Sequence, residues 1–139
     1  MPKLEHANLV LTDIEPTLEF LKLAFPQWRI RGEGKSEWYG KPRRWVHFGD
    51  DDTYITLNDH GEGKQRDLKG YSPGLAHLGF SVEGVEAIAA RLTEAGYIVT
   101  HNGEDHPHRK NIYYREPDGL EIEFVEYFSD APEERNLYV

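Results

Sequence analysis

The sequence predicts an α+β protein made of two tandem βαβββ modules that build a curved mixed sheet. Three observations carry that prediction: a short segment recurs about half a chain later, an apolar pattern of helical spacing follows each copy, and strand pairs with turn punctuation close each half. The recurring segment is Leu4-Glu5-His6-Ala7-Asn8-Leu9-Val10 against Leu75-Ala76-His77-Leu78-Gly79-Phe80-Ser81, with each His two places after a Leu. Self-similarity at a fixed spacing marks a duplicated structural unit.

In chain order, the strand opened by His6 leads into a helix over Ile14–Phe25. Asp13 is its N-cap, and Leu18, Leu21 and Phe25 fall at helical spacing. A short strand, Trp28–Arg31, and a Gly-bearing turn follow. Trp38 and Tyr39, before the Gly40-Lys41-Pro42 break, suit a hairpin or a dimer contact. Strands Arg44–Phe48 and Thr53–Asn58, joined by Gly49-Asp50-Asp51-Asp52, end the first module at residue 59. The Gly-rich, charged segment His60–Pro73 reads as a linker. The second module, residues 74–127, repeats the order: a strand at His77, a helix over Val85–Ala95 with Gly96 as its C-cap, and a strand at Tyr97–Thr100. Strands Asn111–Arg115 and Leu120–Tyr127 follow, joined by Glu116-Pro117-Asp118-Gly119, strong turn punctuation. The tail Phe128–Val139 can cover a pocket mouth or meet a partner chain, but fraying is the simpler expectation.

A length of 139 residues suits one domain, here two small modules sharing a core. A hydrophobic content of 38%, with 12% aromatics, argues against disorder. With 16 Lys and Arg against 25 Asp and Glu, the net charge of −9 disfavours nucleic acid, where neutralising phosphates supplies most of the affinity. It does not count against a small anionic substrate. Cysteine is absent, so any metal must sit on His, Asp or Glu. No stretch reaches signal-peptide or membrane-span length, which makes a cytoplasmic location the expectation, with no membrane partner.

Side chains alternate between the two faces of a strand. Ala7, Leu9 and Leu11 form one face, leaving His6, Asn8 and Val10 on the other. Leu78, Phe80 and Val82 oppose His77, Gly79 and Ser81, and Ile122 and Phe124 oppose Glu121 and Glu123. Ile55 and Leu57 oppose Tyr54, Thr56 and Asn58. The apolar faces belong under the helices, and the polar faces then line a concave surface. Charges there are costly unless paired or bound to metal. Taken singly, each His is more simply an exposed or hydrogen-bonded residue, and Glu121 and Glu123 a solvated strand face. Their joint placement at equivalent repeat positions favours a metal. His47 and Tyr114, each just before a hairpin turn, are the acid–base candidates. Asn8, Trp45, Tyr54, Thr56 and Glu121 are candidates to line the substrate pocket. The loop His101–His108 holds three His, but Pro107 makes it irregular and it reads as an adventitious metal binder.

At these residues the chain resembles the vicinal-oxygen-chelate superfamily, which includes glyoxalase I, extradiol dioxygenases and fosfomycin- and bleomycin-resistance proteins. His6-Ala7-Asn8-Leu9-Val10-Leu11-Thr12-Asp13-Ile14 is similar to that family's first strand and helix, and His77–Val82 to the strand opening its second module. Glu116-Pro117-Asp118-Gly119-Leu120-Glu121-Ile122-Glu123 is similar to its closing turn and strand, the most specific of the three. The resemblance implies His6, His77 and Glu123 as ligands of one divalent ion, with Fe(II) or Mn(II) favoured and Zn(II) or Ni(II) feasible. It also implies a homodimer and a small-molecule substrate with vicinal oxygens. The residue matching Glu123 in the first module is Thr56, no replacement for a carboxylate, which counts against ordinary glyoxalase I chemistry. Dioxygenase and transferase or lyase chemistry stay open, and a non-catalytic drug- or metabolite-binding protein is the alternative.

Overall fold

A computed structural model describes residues 1–138; Val139, at the end of the tail, lies outside the described residues. The chain divides into two compact units, Met1–Lys64 and a second from Gln65 onward.

In the first unit, β1 (His6–Val10) leads into α1 (Ile14–Ala24). The helix starts where the sequence predicts, because the Asp13 carboxylate accepts the Glu15 N–H at 3.2 Å. β2 (Arg29–Trp38), β3 (Lys41–Gly49) and β4 (Tyr54–Asn58) complete a four-stranded sheet in the order β1-β4-β3-β2. β1 and β4 run parallel, the other pairs antiparallel. β2 is far longer than the short strand expected, because its glycines do not turn the chain. A Cβ on Gly34 would lie 2.9 Å from the Trp45 ring, so Gly34 stays in the strand and makes room for the indole. The reversal comes later at Tyr39 and Gly40, both with positive φ (52° and 82°), a turn matched to strand twist. Buried Leu11, Leu18, Phe20, Val46, Phe48 and Leu57 form this unit's core.

The second unit repeats the plan with β5 (His77–Ser81), α2 (Val85–Glu94), β6 (Val99–Asn102), β7 (Arg109–Arg115) and β8 (Glu121–Tyr127), ordered β5-β8-β7-β6. β2 and β6 each carry an irregularity at matching points, Ile30/Gly32 and Val99/His101, so the duplication extends to backbone detail. Gly84 precedes α2 without a capping side chain. Glu126, from β8, supplies the cap by accepting the Val85 N–H at 3.0 Å. The closing turn is stapled by Glu116, which is 1% exposed: its two carboxylate oxygens accept the N–H groups of Leu120 (2.8 Å) and Asp118 (3.0 Å). Part of the expected linker belongs here, since Gln65 donates to Asp118 at 3.1 Å.

The described part of the tail, residues 128–138, does not fray. It forms a short helix, α3 (Pro132–Arg135), tied to the start of β7. His108 Nε2 lies 3.1 Å from Glu134 Oε2, and His106 Nε2 lies 2.8 Å from the Leu137 carbonyl oxygen. Arg109 donates to the Arg135 carbonyl at 3.2 Å. Two histidines of the His-rich loop thus anchor α3 and the Leu137 carbonyl that follows it. No helix among the described residues is long and apolar enough to cross a membrane.

Candidate functional site

In the second unit, parallel pairing sets His77 opposite Glu121 and Gly79 opposite Glu123. The His77 ring then spans both acids, with Nε2 3.1 Å from Glu123 Oε2 and Nδ1 3.9 Å from Glu121 Oε1. Glycine at position 79 clears the approach, since a Cβ there would sit 3.3 Å from Glu123 Oε2. The other Glu123 oxygen accepts a hydrogen bond from Asn111 Nδ2 at 2.6 Å. Glu121 accepts one from the Thr100 hydroxyl at 2.9 Å.

Tyr113 stands opposite Glu123 across the β7–β8 ladder, its ring edge-on to His77 at 5.4 Å. Burial, and then the negative charge of Glu123, push its phenol up to about 12, so it keeps its proton across the neutral range. A cavity of about 260 Å³ opens beside this network, lined in part by Asn111, Tyr113, His101, His106 and Arg109.

The corresponding face of the first unit is a row of rings. His6 stacks on Tyr54 at 4.7 Å, Tyr54 on His47 at 4.7 Å, and His47 leans on Trp45 at 4.9 Å. The Arg31 guanidinium lies 4.3 Å from the Tyr54 ring centre. His6 Nδ1 is 2.9 Å from Glu5 Oε1. Burial, then the charges of Arg31 and His6, hold His47 below the ordinary histidine value. Thr56 is buried, in register with Asn8 on one side and His47 on the other. Asn58 bridges to Asn8 and to the Leu9 carbonyl oxygen.

The sequence-predicted residues therefore sort by unit. His77, Glu121 and Glu123 share the second, and His6, Asn8, Trp45, His47, Tyr54 and Thr56 share one face of the first. Among the described residues, no group of three or more His, Cys, Asp or Glu is placed to hold a metal ion.

One assignment is corrected. Tyr114 does not face the carboxylates: it is 0% exposed, and its hydroxyl lies 2.8 Å from Thr93 Oγ1 and 3.1 Å from the Ala89 carbonyl oxygen, beneath α2. The match to His47 is Tyr113, because His47 pairs with Thr56 as Tyr113 pairs with Glu123. The two turns differ in length by one residue: Gly49 and Tyr54 enclose residues 50–53, whereas Arg115 and Glu121 enclose 116–120. Aligning the halves on their turns slips the register by one and exchanges the faces. Asn111, Tyr113, Arg31 and Glu5 were missed. Counting outward from Asp118 at the centre of the second turn would have found Tyr113, but no sequence signal marks Asn111.

Several solved structures share this fold. A glyoxylase/bleomycin resistance protein/dioxygenase domain from Frankia sp. EAN1pec matches with a TM-score of 0.74 at 21% identity, covering 99% of each chain. A glyoxalase family protein from Bacillus cereus matches at 0.75 and 14%, covering 93% of this chain and 96% of that one. The fosfomycin resistance protein FosX from Listeria monocytogenes, in complex with Mn(II) and 1S,2S-dihydroxypropylphosphonic acid, matches at 0.71 and 17%, covering 97% and 98%. At these identities the likeness is one of fold. No curated protein matches the sequence. The family model described as Glyoxalase/Bleomycin resistance protein/Dioxygenase superfamily matches residues 3–124, nearly the whole of both modules, and the chain belongs to that superfamily.

Proposed function

We propose that this protein is a metal-dependent enzyme acting on a small molecule with two neighbouring oxygens, in which His6, His77 and Glu123 hold one divalent ion. The observation that carries the reading is the pair formed by His77 Nε2 and Glu123 Oε2, 3.1 Å apart on adjacent parallel strands. Both atoms are of the kind that bind a borderline or hard cation, and Gly79 leaves the space before them open. His6 occupies the same place in the first module as His77 does in the second, which supports it as the third ligand. Fe(II) or Mn(II) fits two imidazoles and one carboxylate, and the FosX neighbour was crystallised with Mn(II). Such an ion supplies Lewis-acid polarisation and open positions for two substrate oxygens.

Around it, the chain's own groups take distinct tasks. Tyr113, protonated at neutral pH, donates a hydrogen bond to an oxyanion developing on the substrate. His47, held below its ordinary value, is neutral and able to accept a proton. Asn8, Trp45, Tyr54, Thr56 and Glu121 contribute to substrate binding, and the working form is a homodimer. Thr56 in the place of a fourth carboxylate separates this site from ordinary glyoxalase I chemistry.

Elemental analysis of untagged protein, purified without added metal or chelator, tests the reading. Near-stoichiometric metal that is lost in both His77→Ala and Glu123→Ala is the expected result. A well-folded protein that takes up no Mn(II) or Fe(II) on reconstitution would overturn it and leave a non-catalytic binding protein.

A further inference from the structure

We propose that Asn111 is a positioning residue for the Glu123 carboxylate, and that Gly103 is the seat that lets it act. The inference rests on the metal reading above and deepens it. Asn111 Nδ2 donates to Glu123 Oε1 at 2.6 Å, while the second oxygen, Oε2, points to His77 Nε2 at 3.1 Å. A carboxylate fixed through one oxygen presents the other in a set direction. The donor is a neutral amide and brings no positive charge to the carboxylate. A Lys or Arg in the same place would bring one and compete with an incoming cation. Outer groups that orient ligands in this way commonly account for about ten- to hundred-fold in metal affinity.

Gly103 sets where Asn111 stands. Its N–H donates to the Asn111 carbonyl oxygen at 3.1 Å, so the two residues face each other at the end of the β6–β7 ladder. A Cβ on residue 103 would lie 2.6 Å from Asn111 Cβ, 3.0 Å from Cγ and 3.2 Å from Oδ1. The first of these is a clash, so a side chain at 103 forces residue 103 and Asn111 apart.

The first module supplies an internal control. Gly34 stands to Trp45 as Gly103 stands to Asn111: the pairing partner in one case and the hydrogen-bonded neighbour in the other, each without a Cβ beneath a β3 or β7 side chain. There the strand opposite carries Thr56 rather than Glu123. The seat is common to both modules, but the amide donor occurs only where there is a carboxylate to hold.

The test is Mn(II) affinity, by calorimetric titration of the full chain, for the parent, Asn111→Ala, Gly103→Ala and the double variant, with each metal-free protein's melting temperature recorded. Asn111→Ala should weaken Mn(II) binding by about ten- to hundred-fold while the melting temperature moves little. Gly103→Ala should weaken it in the same direction without removing any group that touches Glu123. The double variant should bind no more weakly than Asn111→Ala, because both act through one hydrogen bond. If Gly103→Ala fails to fold, Asn111→Ala decides alone. A parent that binds Mn(II) beside an Asn111→Ala variant that binds it equally well overturns this proposal and leaves the metal reading standing. A parent that binds no Mn(II) removes both.

Discussion

Tyr113 and Tyr114 are neighbours in β7 with opposite surroundings: one phenol meets Glu123 and Asn111, and the other is sealed beneath α2 against Thr93 and Ala89. Strand alternation divides a tyrosine pair into a core residue and a site residue. Tyr114→Phe should therefore cost about 1–2 kcal/mol of stability by urea denaturation, because it strips a buried hydroxyl from its partners. Tyr113→Phe should stay within about 0.5 kcal/mol of the parent. Equal losses in the two variants would contradict the division.

Glu116 fixes the turn on which the β8 register depends. Its carboxylate accepts two backbone N–H groups in a nearly solvent-free position. Glu116→Ala abandons both donors and should cost about 3 kcal/mol in the same denaturation experiment. A loss below 1 kcal/mol would mean that the turn holds its shape unaided.

Glu126 caps α2 from outside the helix. Glu126→Ala should destabilise the protein by about 1 kcal/mol, whereas Glu126→Gln, which keeps an acceptor oxygen, should recover much of that loss. Hydrogen exchange at Val85 gives a local measure: its amide should exchange faster in Glu126→Ala. An unchanged rate would argue that solvent serves this donor as well as the carboxylate does.

His47 gives a pH dependence of defined sign. Its folded value lies below the ordinary 6.5 because burial, then Arg31 and His6, oppose the charged ring. The unfolded chain therefore takes up this proton first as the pH falls. Stability contributed by neutral His47 is complete above the unfolded value and declines as pH drops below it towards the folded value. The NMR titration midpoint of the His47 ring should lie under 6.5, and Arg31→Gln should move it upward. A midpoint at or above 6.5 would contradict the assignment.

The duplicated plan, both main helices and the faces carrying His6, His77 and Glu123 were legible because period-two alternation and helix spacing are local properties of the sequence. The length of β2 was not, since Gly32 and Gly34 look like turn residues until Trp45, on another strand, is seen to need the space above Gly34. The Tyr113 position was lost to a single extra residue in one turn. Asn111 was invisible for a plainer reason: its value lies in a hydrogen bond to a residue 12 positions away, and nothing in its own neighbourhood announces that. The docking of α3 depends likewise on side chains of a loop that looked merely His-rich.

The matched registers of the two halves have a consequence for how such a molecule diverges. His47, Thr56 and Trp45 on one side correspond to Tyr113, Glu123 and Asn111 on the other, at matching positions of the two strand ladders. Replacing these groups rewrites the chemistry of one half while the apolar side chains on the opposite strand faces are untouched. Inserting or deleting one residue within a strand turns core side chains outward and site side chains inward together. A lineage with this architecture is thus free to explore new substrates by exchanging letters, and is held to one frame by the heavy penalty on changing their number.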